Sequence, residues 1–280
     1  MTISASELAG LYKEACLAEL SALKPGNVHI FADGHGMVVQ DFIASAEASA
    51  QPLCEPGLTV GQRIQQAIQA TWSAVNCNTN LGIVLLAAPM IQASLEAGLP
   101  LSAHALSHTL QSLTVDDARL AYAAILQASP AGLGSSDQHD VHEAPAVTLL
   151  QAMEQAQSYD LVARQYANGY QEILQFGLGR YYAAMARWQR EAWAVSAVYL
   201  GFLSRYPDSH IARKYGVAAA ERVMQQALVH EQNLMASDNP KTCQRSLMTF
   251  DQELKAAKLN PGTTADLTVA TVLAAALFTS

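Results

Sequence analysis

The chain has 280 residues, of which 51% are hydrophobic and only 14% charged, with a formal net charge of -8 at pH 7. That length allows one large domain or two interlocked ones, and the preference for Ala and Leu over Val and Ile favours helix. The acidic balance excludes a nucleic-acid backbone as partner, because tracking phosphates needs a surplus of Lys and Arg on one face.

In chain order, Ser4 and Glu7 make a capping box for a helix running to about Ala22, and Lys24-Pro25-Gly26-Asn27 ends it. Val28 to Gly36 reads as loop. A second helix carries Met37, Phe42, Ile43 and Ala46 and stops before Pro52, and a third runs from its cap Thr59 to Asn76. Asn78-Thr79-Asn80-Leu81-Gly82 opens a fourth helix over Ile83 to Ala97, with a kink expected at Pro89 and a stop at Gly98 and Pro100. Further helices are expected over Ser102 to Leu113, Thr114 to Ser129, about Ala146 to Gln155, Tyr159 to Gln175, Arg180 to Arg205, Ile211 to Ala236 and Thr242 to Lys258. Pro130 to Pro145 is the longest polar loop among them. The turn Asn260-Pro261-Gly262-Thr263-Thr264-Ala265-Asp266, with Thr263 or Thr264 as N-cap, leads into a final apolar helix ending at Phe278. No segment alternates as a strand would. The chain therefore reads as all-α, one domain over residues 1–280, a multi-helix array whose site is built by converging inter-helix loops.

Residues 1–7 have no basic region leading into an apolar stretch, so no secretory signal is expected and a cytoplasmic location is. Cys16, Cys54, Cys77 and Cys243 form no C-x-x-C pair, which argues against structural zinc and against a disulfide framework. The most apolar runs are interrupted by Pro89 and Glu96 or too short to span a bilayer, so no membrane partner is expected. High apolar content with few charges points to a homo-oligomer.

Four polar stretches carry chemistry. In the first loop, Lys24 can hold a phosphate as a point charge, and Asp33, His35 and Asp41 can ligate Mg²⁺ beside Asn27; a solvated Pro-Gly turn is the plain alternative. Asn78-Thr79-Asn80 offers uncharged hydrogen-bonding groups suited to ribose hydroxyls, a base edge or phosphate oxygens at a helix start, or simply an N-cap. The loop Asp137-Gln138-His139-Asp140-Val141-His142-Glu143 is dense in ligand types, with Asp140 and Asp137 the natural partners of a hard cation; alternatively it is a solvated surface loop. At the last turn, free N–H groups favour an anion, and Asp266 can bind a metal or orient a hydroxyl. Signatures for dinucleotide folds, Walker loops, H-E-x-x-H zinc sites, di-iron bundles and G-x-S-x-G elbows are absent.

Taken together, Lys24-Pro25-Gly26-Asn27-Val28, Gly34-His35-Gly36-Met37, Asn78-Thr79-Asn80-Leu81-Gly82, Gly132-Leu133-Gly134 with Asp140-Val141, and Asn260-Pro261-Gly262-Thr263-Thr264-Ala265-Asp266-Leu267 resemble the triphosphoribosyl-dephospho-CoA synthase family in order and spacing over nearly the whole chain. The resemblance implies an all-helical transferase that moves the triphosphoribosyl group of ATP to a ribose hydroxyl of 3′-dephospho-CoA and releases adenine. In that family the product becomes a prosthetic group of acyl carrier subunits. Asn80-Leu81 stands where citrate-lyase-type members typically have His-Lys, and His35-Gly36-Met37 where they have His-x-Asp-Met. An alternative acceptor in methanopterin-type one-carbon metabolism stays open on that ground, as does a helical nucleotide-binding protein without turnover.

That chemistry builds positive charge on the ribose and requires carboxylates near it, a base for the attacking hydroxyl, and Mg²⁺ with a cation for the triphosphate. The expected catalytic set is His35 as base with Asp33, Asp140 and Asp266, the three aspartates also being the metal candidates. Lys24, Asn27, Asn78, Thr79, Asn80, Asn260, Thr263 and Thr264 are the expected substrate-binding residues. ATP and dephospho-CoA or a related acceptor are the expected partners.

Overall fold

A computed structural model describes residues 3–128, 141 and 143–278. Among them the chain forms only helices and connections, with no strand: α1 (Ala5–Ser21), α2 (Val39–Cys54), α3 (Val60–Val75), α4 (Leu81–Ala97), α5 (Ala103–Gln111), α6 (Val115–Ala128), α7 (Leu149–Ala156), α8 (Leu161–Asn168), a π-helical segment (Glu172–Gly177), α9 (Leu178–Trp188), α10 (Glu191–Leu203), α11 (Ser209–Tyr215), α12 (Val217–Ala236), a 3-10 turn (Pro240–Cys243), α13 (Gln244–Ala256) and α14 (Gly262–Phe278). No described helix is long and apolar enough to cross a membrane.

The expected capping box at Ser4 forms, the expected cap Thr59 makes a box with Gln62, and Asn76 ends α3 in the left-handed conformation. Three long helices expected from periodicity are instead broken. Gly169 and Tyr170 (φ 70° and 64°) interrupt the stretch after Tyr159, Gln189 (φ 50°) separates α9 from α10, and Gly216 (φ 85°) separates α11 from α12. A left-handed residue turns the chain without disturbing the apolar spacing on either side, so periodicity runs through the break. The first loop is more ordered than expected, since two isolated bridges, His29 with Ala32 and Gly34 with Met37, fold it back on itself.

At the centre lie α4 and α14, both buried along nearly their whole length and packed on each other. Most of the remaining helices wrap this pair: α1, α8, α9, α10 and α11 touch α14, while α2, α3, α5, α6 and α8 touch α4. One continuous apolar core runs through residues of α1, α4, α8, α10 and α14. Pro89 sits inside α4 and has no N–H to give. The Leu85 carbonyl that its N–H would have met accepts the Tyr166 hydroxyl at 2.6 Å, and the adjacent Leu86 carbonyl accepts Tyr170 at 2.9 Å. The break in the α4 ladder is thereby closed from the side, and α8 is clamped onto α4.

Candidate active-site cleft

A cleft of about 790 Å³ opens where α4, α8, α11 and α14 all begin. Its wall includes Glu19, Asn27, Asn78 to Ile83, Asp160, Arg164, Tyr206, His210, Arg213, Asn260, Thr263 and Asp266. The helix starts are tied to one another. Asp208 caps α11 at Ile211 N (3.0 Å), and its other oxygen accepts both the backbone and the hydroxyl of Thr264 at 2.8 Å. The neighbouring Ser209 Oγ accepts the Leu161 N–H that opens α8, at 2.8 Å. The N-cap expected at Thr263 or Thr264 is therefore not formed: α14 begins at Gly262, ahead of both, and the Thr264 hydroxyl donates to Asp208 instead.

One side of the floor is a buried polar chain. Lys24, with no exposed surface, donates to Glu19 and to Asn27 Oδ1 (3.0 Å), and Asn27 Nδ2 donates to Asn260 Oδ1 at 2.8 Å. Burial pushes the Glu19 carboxyl up and the Lys24 ammonium down, and their mutual attraction opposes both shifts. The turn carrying Lys24 is fixed at Gly26, whose φ of 84° and position between Leu254 and Pro261 leave no room for a side chain: a Cβ would meet Leu254 Cδ1 at 2.8 Å and Pro261 Cδ at 2.9 Å. Around it, the Gly26 N–H donates to Asp251 (2.9 Å), the Pro25 carbonyl accepts Tyr199 (2.8 Å), and the Gly26 carbonyl contacts His35 Nε2 at 2.7 Å.

At the other side stands the start of α4. Asn78 Oδ1 accepts the Leu81 N–H, Thr79 donates to Ser45 Oγ, and Asn80 Nδ2 donates to Ser49 and Thr71 hydroxyls at 3.2 and 3.1 Å. Asn80 is 5% exposed, and its Oδ1 has no protein partner. Next to it, Gly82 lets α14 approach: a Cβ there would collide with the Asp266 carboxylate. Asp266 is half-buried at this contact. Burial raises its pKa far above the usual carboxylate range, the charges of Asp208, Glu19 and Asp160 add to the rise, and Arg213 pulls the other way.

The opposite wall carries the cations. Asp160 caps α8 through Oδ1 (Val162 N 2.8 Å, Ala163 N 3.0 Å) and holds Arg213 through Oδ2 at 3.4 Å. Arg164 lies one turn further along α8, its guanidinium 6.0 Å from the Tyr206 ring. His210, pushed down to about 4 by burial and then by Arg213, Lys214 and His35, is neutral at pH 7. Between α4, α6 and α7 the cleft extends into an apolar lobe lined by Leu85, Tyr122, Ile125, Leu149 and Met153.

The structure brings Asn27, Asn78, Thr79, Asn80, Asn260, Thr263 and Asp266 into one cleft, with Lys24 directly behind Glu19 and Thr264 behind the helix start. Asp33 and His35 are not part of the cleft wall. Asp33 is exposed and accepts the Val39 N–H at the start of α2 (3.0 Å), while His35 braces the Gly26 turn. Asp137, His139, Asp140 and His142, with Gly132 and Gly134, lie outside the described residues. Glu19, Asp160, Arg164, Tyr206, His210 and Arg213 escape the sequence reading. Only Glu19 left a signal: it follows Leu8, Tyr12 and Ala15 on the buried face of α1, where a carboxylate is out of place.

Among the described residues no three His, Cys, Asp or Glu side chains gather closely enough to hold an ion by themselves. The Asp266 carboxylate, with the Asn260 and Thr263 oxygens also in the wall, fits a hard cation that keeps one or two protein carboxylates and completes its shell with phosphates and water.

A family model described as CitG, ATP:dephospho-CoA triphosphoribosyl transferase, matches residues 5–280. A crystal structure from Archaeoglobus fulgidus, provisionally named triphosphoribosyl-dephospho-CoA synthase, superposes with a TM-score of 0.66 at 22% identity, covering 84% of this chain and 98% of that one. At that identity the likeness establishes the fold. No curated protein sequence matches the chain.

Proposed function

The chain belongs to the ATP:dephospho-CoA triphosphoribosyl transferase family, and we propose that the cleft at the starts of α4, α8, α11 and α14 is where the transfer takes place. The observation that carries this reading is the meeting of Asn27, Asn80, Asn260 and Asp266, from four distant segments, around one polar floor. In the reaction the bond between C1′ of ATP and N9 of adenine breaks, its electron pair leaves with adenine, and a ribose hydroxyl of dephospho-CoA forms the new bond to C1′. Adenine takes a proton from solvent.

Positive charge grows on the ribose as the bond stretches, and Asp266, fixed against Gly82, stabilises it: burial favours the neutral acid in the empty cleft, and the cationic charge arriving with the substrate and growing on the sugar draws the carboxyl into its ionised form. Glu19 accepts the proton of the attacking hydroxyl, the part expected of His35, because it is the carboxylate in the wall beside Asn27 and Lys24 holds it in place. Asn27, Asn78 and Asn260 orient sugar hydroxyls. Mg²⁺ would enter on the triphosphate as part of the substrate and would neutralise part of the phosphate charge, with Asp266, at the sugar end of the cleft, the protein carboxylate that would hold it.

Incubation with ATP, Mg²⁺ and dephospho-CoA is expected to release adenine in step with a product heavier than dephospho-CoA by the triphosphoribosyl group. Adenine release that dephospho-CoA never accelerates would remove this assignment.

A further inference from the structure

The geometry points to a polyphosphate subsite on the α8–α11 wall, where Arg164 and Arg213 take the phosphates of the nucleoside triphosphate, so that the donor lies with its phosphates toward Tyr206 and its sugar over Asp266. The inference rests on the transfer reading above for the identity of the donor. Three observations carry it. Among the described residues of the cleft wall, Arg164 and Arg213 are the only Lys or Arg side chains, since Lys24 lies behind Glu19 and is engaged by it. Both come from the same side: Arg164 is one turn into α8, Arg213 is on α11, and Ser209 ties the two helix starts together. Among the described residues, the α4 side of the cleft offers amides, hydroxyls and the apolar Leu81, with no cation.

Electrostatics then fixes the orientation. A triphosphate brings about four negative charges into a chain of net charge -8 whose cleft floor holds Glu19 and Asp266. Among the described residues of the wall, the arginine side is the one that meets it with charge of the opposite sign. Guanidinium groups suit the task because their planar forks match phosphate oxygens in pairs and lose less hydration than an ammonium does. Asp160 does not spoil the subsite. One of its oxygens is committed to two α8 amides and the other positions Arg213, whose side chain is 28% exposed and so partly dried already.

Arg164→Gln and Arg213→Gln variants test the inference by steady-state adenine release, with inorganic tripolyphosphate as inhibitor. Each substitution is expected to raise KM for ATP about tenfold or more and to weaken tripolyphosphate inhibition in parallel. KM for dephospho-CoA should stay within about twofold, and Arg213→Lys should recover part of the loss. Unchanged ATP KM and tripolyphosphate inhibition would overturn the subsite. A selective rise in KM for dephospho-CoA would also overturn it, assigning the wall to the diphosphate of the acceptor. Calorimetric titration of the wild-type protein with tripolyphosphate reads the subsite without turnover. Binding that both Gln variants lose, in a protein releasing no adenine, would sink the transfer reading and keep the subsite.

Discussion

Glu19 and Asp266 meet the same cleft with different support, and the difference sets what substitution should do. Glu19 is backed by buried Lys24. Glu19→Gln should lower kcat by about 10²–10⁴-fold with little change in ATP affinity, and because it leaves a buried ammonium without its carboxylate, it should also lower the melting temperature. A variant with full kcat would end the base assignment. Asp266 is held by a close approach, so Gly82→Ala should displace its carboxylate, costing about 1–3 kcal/mol in denaturant unfolding and lowering adenine release. Wild-type stability and activity in that variant would show that the contact is slack. His210 supplies a pH signature. Its imidazole titrates near 4 in the folded protein against 6.5 ordinarily, chiefly through burial and further through Arg213, Lys214 and His35. The unfolded chain therefore binds this proton first as pH falls, so the contribution to stability is complete above about pH 6.5 and lost progressively toward pH 4. Replacing His210 with Asn should reduce the drop in urea midpoint between pH 7 and pH 5, and an identical drop in both proteins would refute this.

At the level of elements, the clamp of α8 on α4 is the clearest case of one helix repairing another. Pro89 leaves the Leu85 carbonyl without its helical donor, and Tyr166 replaces that donor at 2.6 Å. Tyr166→Phe should destabilise the fold by about 1–3 kcal/mol, the cost of a buried carbonyl left unpaired. In a Pro89→Ala background, where the helix can supply its own N–H, the same substitution should cost less, and a double-mutant cycle measures the difference. Equal costs in both backgrounds would mean that the two residues act independently. The lost helical hydrogen bond at Pro89 could be anticipated from the chain, but the group that replaces it could not, because Tyr166 is 77 positions away and reads as an ordinary core aromatic. The same limit explains the helices read as too long. Gly169, Gln189 and Gly216 sit in left-handed conformations within uninterrupted apolar patterns, and what breaks the helix there is the direction of the next packing surface.

On the scale of the molecule, α4 and α14 form an apolar axis whose N-terminal ends meet at the cleft, and the other helices bring polar groups to that end. The expected association of copies has apolar surface available on α12, where Leu228 and Val229 are 43% and 57% exposed. Light scattering should give a mass above the 29.9 kDa of one chain, and a single-chain mass would count against association. The sequence by itself determined the helical class, through Ala- and Leu-rich 3.6-residue patterning, the caps at Ser4 and Thr59, and the motifs around Asn27, Asn80 and Asp266 that resemble the family. Those signals are local, carried by residue types at short spacing. Only the tertiary structure decided that Glu19 faces the cleft, that His35 and Asp33 serve the Gly26 turn and the start of α2, and that Arg164 and Arg213 share a wall. Such assignments depend on the direction in which a side chain leaves its helix and on what packs against it, and both are set by contacts between segments up to more than two hundred residues apart.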